Sequence, residues 1–222
     1  HLPLNIADRV DRLCQGLGLR IPKRTPALGF LKNGSVAGFK PPQPISITND
    51  SSYVVVHPFA GWEYRTWPLI NFHKLVTRIL EWSTHQIVII GGDGDRDHLH
   101  ELVRALAQDP RVTFAVGLPL DDLALLIARS AFYIGGDSGP LHLAAAVGTP
   151  SVGLFGPAPP ELTGPPVSTN LYLYKKVECS PCDQRECVRK WAPCMTLISV
   201  DEVFDKVVQA RQTGLESSPR LA

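Results

Sequence analysis

Five short, unbroken apolar runs, each closed by glycine, proline or a polar loop and each parted from the next by a stretch of helical periodicity, leave this chain few folds to adopt. The first is Tyr53-Val54-Val55-Val56-His57, stopped by Pro58, whose β-branched residues suit a buried strand. Leu69, Phe72, Leu75, Val76, Ile79 and Leu80 then fall on one helical face, and Ile87-Val88-Ile89-Ile90 runs into Gly91-Gly92. Leu99, Leu102, Val103 and Leu106 predict a helix, Val112 to Val116 a strand, and Asp121 to Arg129 a leucine-rich helix. Phe132-Tyr133-Ile134 leads into Gly135-Gly136-Asp137, a helix is predicted over Leu141 to Val147, and Ser151 to Phe155 forms the fifth run. Continuous apolar strands joined by helical crossovers imply a parallel sheet covered on both faces, because hairpins would alternate polar and apolar positions. The predicted fold class is therefore α/β, a doubly wound parallel sheet.

The flanks read differently. Ile6, Val10, Leu13 and Leu17 recur at helical spacing, and residues 21 to 52 are rich in Pro, Gly, Ser and Asn. Residues 1–52 are thus expected to form a helix and a Pro-rich linker, and residues 53–215 the sheet domain, with a Cys-rich segment at 179–194. Beyond Pro157 the alternation breaks, until Val200, Val203, Phe204, Val207 and Val208 mark a last amphipathic helix; residues 216–222 are expected to fray. A chain of 222 residues suits one compact domain. It begins at His1 rather than Met, which reads as a truncation or processing point with a partner domain upstream.

Lys and Arg number 22 against 21 Asp and Glu, for a formal net charge of +1, and no long basic run occurs. Nucleic acid and anionic membrane surfaces therefore find no electrostatic footprint. No stretch approaches the roughly 20 apolar residues of a membrane span, and no signal peptide opens the chain. Four of the five cysteines crowd into 179–194, a local cluster rather than a chain-wide disulfide framework, so a reducing, cytoplasmic setting is expected.

In open parallel sheets, ligands bind beyond the carboxyl ends of the strands. The loops there hold His57 and Arg65 after the first strand, Asp93 and Asp95 after the second, and Asp137, Ser138 and His142 after the fourth. Gly135-Gly136-Asp137-Ser138-Gly139-Pro140-Leu141-His142 is the strongest local pattern, a strand ending in glycines and a helix opening with proline. The helix amino end can receive phosphate, Ser138 can donate a hydroxyl hydrogen, His142 can bond a diphosphate oxygen, and Asp137 can accept from ligand hydroxyls. A plainer reading stands beside this one on even terms: Asp137 and Ser138 only cap the helix, and His142 is solvated. Arg65, just before a helix, can clamp a phosphate or be an ordinary surface arginine. Trp67 reads as a packing anchor rather than a base platform. Gly91-Gly92-Asp93-Gly94-Asp95 does not match the G-x-G-x-x-G of a dinucleotide fold, which argues against nicotinamide; Asp93 or Asp95 can meet sugar hydroxyls or simply open a helix.

His57-Pro58-Phe59-Ala60, Arg65-Thr66-Trp67-Pro68, Gly135 to Ala146, Gly148-Thr149-Pro150 and Leu154-Phe155-Gly156-Pro157 follow one another in an order that resembles the carboxy-terminal domain of the ADP-heptose:lipopolysaccharide heptosyltransferases, glycosyltransferase family nine. The resemblance runs from about Val54 to Val208 and includes Cys194-Met195. It implies one Rossmann-like half of a two-domain GT-B enzyme that moves a sugar, with inversion, from a nucleotide-diphosphate donor such as ADP-heptose to a lipopolysaccharide-core-like acceptor. It also implies donor binding by Arg65, Asp93, Asp137, Ser138, Gly139 and His142. The catalytic base is expected from an acidic residue of an absent amino-terminal acceptor domain, residues 1–52 being the interdomain helix and linker. The chain alone is then expected to bind donor and transfer nothing. No metal or other cofactor is expected for the transfer, because Arg65 and the helix terminus can carry the leaving-group charge. Phe59 departs from the pattern: glycine is usual after His-Pro, and a bulky side chain limits close approach of phosphate to the backbone.

Cys179-x-x-Cys182 with Cys187 and Cys194 has the count and opening spacing of a zinc or iron–sulfur site, but the later spacings are not diagnostic. Structural thiols or local disulfides rank ahead of metal. A rival to the enzyme reading is a non-catalytic nucleotide-diphosphate-binding subunit, distinguished by whether an acceptor domain lies upstream; a redox or metal module would explain the tail alone.

Overall fold

In a computed structural model, the residues described are 52–95, 98–99, 102, 105–165, 170–182 and 186–217. The expected helix and linker of residues 1–52 lie outside them, apart from Ser52. Six strands form a single sheet: β1 (Tyr53–His57), β2 (Gln86–Gly91), β3 (Val112–Val116), β4 (Phe132–Gly136), β5 (Ser151–Phe155) and β6 (Asn170–Tyr174). Their order across the sheet is β3-β2-β1-β4-β5-β6, and every pairing is parallel. The helices are α1 (Leu69–Trp82), α2 (Leu120–Ala128), α3 (Gly139–Ala146), the single-turn α4 (Pro160–Thr163) and α5 (Pro193–Thr196), and α6 (Val200–Ser217).

The doubly wound prediction holds because each strand feeds two cores. Val54 and Val56 of β1, Ile87 and Ile89 of β2, and Phe132 and Ile134 of β4 pack on the side of α1 and α6. Tyr53 and Val55, Val88 and Ile90, and Tyr133 face the opposite layer, with Ala124, Leu126 and Ile127 of α2 and Leu141 and Ala144 of α3. Successive side chains on a strand point to opposite faces, so a strand covered on both sides must be apolar throughout. β1, β4 and β5 are buried at every position. Residues 98, 99, 102, 105 and 106 are helical, where a helix was predicted.

One strand has no counterpart in the sequence reading. In the stretch beyond Pro157, where the alternation breaks, Asn-Leu-Tyr-Leu-Tyr forms β6 at the sheet edge, in register with β5 from Ser151↔Asn170 to Phe155↔Tyr174. Leu171 and Leu173 lie against one core and Tyr172 and Tyr174 against the other, so the edge strand carries no polar alternation to announce it. The last helix ends at Ser217.

Trp67 is the packing anchor that its place before Pro68 predicted. It is buried, stands edge-on to Phe72 with centroids 4.9 Å apart, and donates its indole N–H to the Ile198 carbonyl at 2.9 Å. This bond ties the loop after β1 to the turn before α6.

At the carboxyl end of β4, Gly135 is required by its neighbour. The buried Tyr133 ring lies along the same face of the strand, so a Cβ at Gly135 would collide with its hydroxyl, sit 2.9 Å from its Cζ and 3.0 Å from the His57 carbonyl oxygen. Gly135→Ala is therefore expected to lower stability by about 1–3 kcal/mol, read from urea melts, with partial recovery in Gly135→Ala/Tyr133→Leu; an unchanged midpoint in the single variant contradicts this packing.

Candidate functional site

Crossovers leave β1 toward β2 on one side and β4 toward β5 on the other, so a crevice opens where the carboxyl ends of β1 and β4 lie side by side. Three loops meet there. The β1–α1 loop makes a 3-10 turn at Glu63–Arg65 and crosses the end of β4, where the Arg65 carbonyl lies 3.5 Å from the Cβ position of Gly136. The β2 loop makes a second 3-10 turn at Asp93–Asp95. The third loop is only Asp137 and Ser138, after which α3 begins with Pro140 in its first turn.

On one side of the start of α3, Asp137 is the centre of a small charged cluster. Its Oδ2 accepts from the Thr163 hydroxyl at 2.9 Å and lies 3.6 Å from Arg65 Nη1, while Oδ1 is 3.9 Å from His142 Nε2. Burial works to raise the Asp137 pKa, but His142, Thr163 and Arg65 together outweigh it and hold the carboxylate below its ordinary range. Asp137 is nearly sheathed, at 9% side-chain exposure, whereas Arg65 and His142 keep 25% and 49% and face solvent at the crevice. Two nitrogen-bearing side chains and the positive end of a helix dipole thus meet at one point, an arrangement that receives anions.

On the other side, a cavity of about 330 Å³ opens between the ends of β1, β2 and β3 and the start of α3, with His57, Phe59, Asp95, Leu123 and Ser138 among its walls. Ser138 occupies the cap position of α3 but makes no side-chain cap bond. Its hydroxyl donates to the Gly136 carbonyl at 3.2 Å, and its oxygen lies 3.1 Å from His57 Nδ1. Capping therefore does not account for Ser138, and the hydroxyl expected to donate to a ligand is turned into the protein. Burial drives the His57 pKa down to about 4, against a smaller upward pull from Asp95.

The site residues expected from sequence fall into these two compartments. Arg65, Asp137 and His142 come together, and Ser138 and Gly139 line the cavity beside them. Asp93 is exposed on its turn, and Asp95 is the acid that lines the cavity, with Oδ2 accepting the Gly92 N–H at 2.8 Å. Phe59 turns inward, buried, with its ring 3.4 Å from the Cβ position of Gly91 and edge-on to His57, so its bulk forms cavity wall. Two contributors escaped the sequence reading. Thr163 sits on a one-turn helix with no motif around it, and the pairing of His57 with Ser138 joins residues 81 positions apart.

The cysteine-rich lobe packs beside the β1–α1 loop. Cys179, Cys182, Cys187 and Cys194 line one cavity of about 190 Å³ together with Tyr64, and all four are free thiols. Among the described residues no three His, Cys, Asp or Glu side chains are grouped so as to hold a metal ion. Burial, and then the charges of Cys182, Cys179 and Cys187, push the Cys194 thiol up to about 11. No helix among the described residues is long and apolar enough to cross a membrane.

His57 makes stability depend on pH in a defined window. Its folded pKa of about 4 lies below its ordinary 6.5, so between these values the unfolded chain binds a proton that the folded chain does not. The contribution is complete above pH 6.5 and is lost as pH falls toward 4, up to about 3 kcal/mol. Asp137, also lowered, adds its own loss only below its ordinary 3.8, while His85, lowered by burial, shares the His57 window. Urea midpoints are expected to fall from pH 7 to 4.5 and to fall clearly less in His57→Gln; parallel curves for the two proteins would exclude a buried neutral imidazole at this position.

Comparison with known proteins shows the family and the fold. The profile of Glycosyltransferase family 9 (heptosyltransferase) matches residues 17–192. Lipopolysaccharide heptosyltransferase 3 of Escherichia coli is 28% identical over 169 residues, which is 73% of this chain and 49% of that protein. Lipopolysaccharide heptosyltransferase 2 of E. coli strain K12 is 31% identical over 107 residues, 47% of this chain and 30% of its own length. Among solved structures, E. coli ADP-heptose lps heptosyltransferase II superposes with a TM-score of 0.66 at 22% identity, over 76% of this chain and 49% of that one. E. coli heptosyltransferase WaaC with ADP does so with a TM-score of 0.64 at 17% identity, over 91% and 56%. At these identities the two superpositions speak for the fold alone. The chain spans about half the length, or less, of these curated relatives. With the profile covering most of the chain and the motif residues gathered at one crevice, the protein belongs to glycosyltransferase family 9, the heptosyltransferases.

Proposed function

We propose that this domain binds a nucleotide-diphosphate sugar, ADP-heptose, as the donor half of a heptosyltransferase that acts on a lipopolysaccharide-type acceptor. The observation that carries the reading is the convergence of Arg65, His142 and the amino end of α3 beside the cavity at the sheet's switch point. The names of the related proteins supply the sugar and the acceptor class, and one structural neighbour was solved with ADP.

In this reading the diphosphate lies against the start of α3. Asp137, held ionised, keeps Arg65 and His142 turned toward the crevice until the ligand arrives. An acceptor hydroxyl attacks the anomeric carbon from the face opposite the diphosphate. The carbon–oxygen bond to the diphosphate breaks, the hydroxyl proton passes to a base of a second domain, and ADP leaves carrying the negative charge. Arg65 and the helix terminus stabilise that developing charge, so the transfer needs no metal.

Calorimetric titration with ADP, UDP and GDP is expected to show preference for ADP. Arg65→Ala is expected to weaken ADP binding about tenfold to a hundredfold, the loss of one charge-assisted hydrogen bond. Equal binding by wild type and variant would remove Arg65 from the site. A transferase assay on the chain alone is expected to show donor binding without turnover, and robust transfer without an added partner would defeat the assignment of the base to another domain.

A further inference from the structure

Ser138 Oγ lies 3.2 Å from the Gly136 carbonyl oxygen, to which its hydroxyl donates, and 3.1 Å from His57 Nδ1. A serine hydroxyl has a single hydrogen and a backbone carbonyl can only accept, so both contacts are hydrogen bonds at once when the ring proton sits on Nδ1 and is donated to the Ser138 oxygen. With the proton on Nε2 instead, the hydroxyl turns to Nδ1 and the Gly136 contact is lost. A neutral imidazole carries one N–H, so in the arrangement that keeps both contacts Nε2 is left with its lone pair. Burial keeps the ring neutral above about pH 5, its pKa being pushed down to about 4. No hydrogen bond to Nε2 occurs among the described residues, nor is this atom one of the buried polar atoms sealed away without a partner. His57 is 7% exposed and lines the cavity, so the open edge of the ring faces ligand space.

The rest of that cavity has the same preference. Asp95 presents a carboxylate, which accepts the Gly92 N–H and whose field reaches His57. No Lys or Arg lines it among the described residues, and Phe59, Ile90, Leu118 and Leu123 make much of the wall apolar. Two acceptors without a cation repel phosphate and welcome a neutral ring that donates hydrogen bonds through hydroxyl or amino groups. Arg65 and His142 stand outside this cavity, at the charged cluster.

We infer that His57 Nε2 is a fixed hydrogen-bond acceptor that selects a donor group on the uncharged part of the ligand, and that Ser138 is a positioning residue that sets the His57 tautomer. The ligand's identity as a nucleotide diphosphate rests on the function proposed above; the tautomer does not.

Nitrogen-15 NMR of the imidazole in the unliganded chain tests the second claim directly. A protonated Nδ1 and a bare Nε2 are expected at pH 7, retained in Ser138→Thr and reversed or averaged in Ser138→Ala. A protonated Nε2 in wild type, or a tautomer unmoved by Ser138→Ala, overturns it. For the first claim, ADP, 2′,3′-dideoxy-ADP, N6-dimethyl-ADP and inorganic pyrophosphate are titrated against wild type, His57→Phe and His57→Gln. His57→Phe is expected to weaken ADP about tenfold, the worth of one hydrogen bond, while pyrophosphate changes less than about twofold. One of the two donor-deleted analogues is expected to be insensitive to the substitution, and His57→Gln, whose side-chain carbonyl again accepts, to recover much of the loss. Equal losses for pyrophosphate and ADP, or equal sensitivity of ADP and both analogues, overturn it. Absence of ADP binding to wild type would instead defeat the nucleotide reading, with the NMR result still deciding the tautomer.

Discussion

Everything at this site depends on how β4 ends. Two glycines carry the strand to its edge, Asp137 and Ser138 turn the chain, and α3 starts at once, with its first turn held against the crevice between β1 and β4. Gly135 leaves room for the Tyr133 ring beneath, and Gly136 lets the Arg65 backbone cross at 3.5 Å from its Cβ position. A side chain at Gly135 would push against the Tyr133 ring and the end of β1, and so disturb the strand pair from which the crevice opens.

From that turn the site divides by charge. Asp137 faces Arg65, His142 and Thr163, while the adjacent Ser138 faces His57 and the apolar cavity. Adjacent residues pointing to opposite sides of one turn thus separate a charged cluster from a largely apolar cavity. A nucleotide diphosphate has both parts, which is what supports the proposed class of ligand. The Arg65–Asp137 separation of 3.6 Å is longer than a tight ion pair, so in the proposed pose a phosphate competes with Asp137 for Arg65 across a loose contact.

What could be read from the residues alone was whatever the chain encodes locally. The continuous runs of β1, β2, β4 and β5 had to be strands buried on both faces, and the glycines and proline around Ser138 had to join a strand to a helix. Trp67 as packing and Arg65 beside the motif followed from similar local logic. Elements set by tertiary position were not legible. β6 is apolar on both faces at a sheet edge, behind a proline-rich stretch, and Thr163 gains meaning only because α4 places it beside Asp137. Asp93 and Asp95 were indistinguishable until the 3-10 turn rotated one outward and the other into the cavity. The direction of the Ser138 hydroxyl depended on His57, brought alongside by the β1–β4 pairing.

A crystal structure of the chain with ADP bound is the most direct measurement. The diphosphate is expected at the amino end of α3, within hydrogen-bond reach of Arg65 and His142, with the nucleoside on the His57 side. A nucleotide seated away from that helix end, or Arg65 and His142 turned from one another with the diphosphate touching neither, would contradict the site.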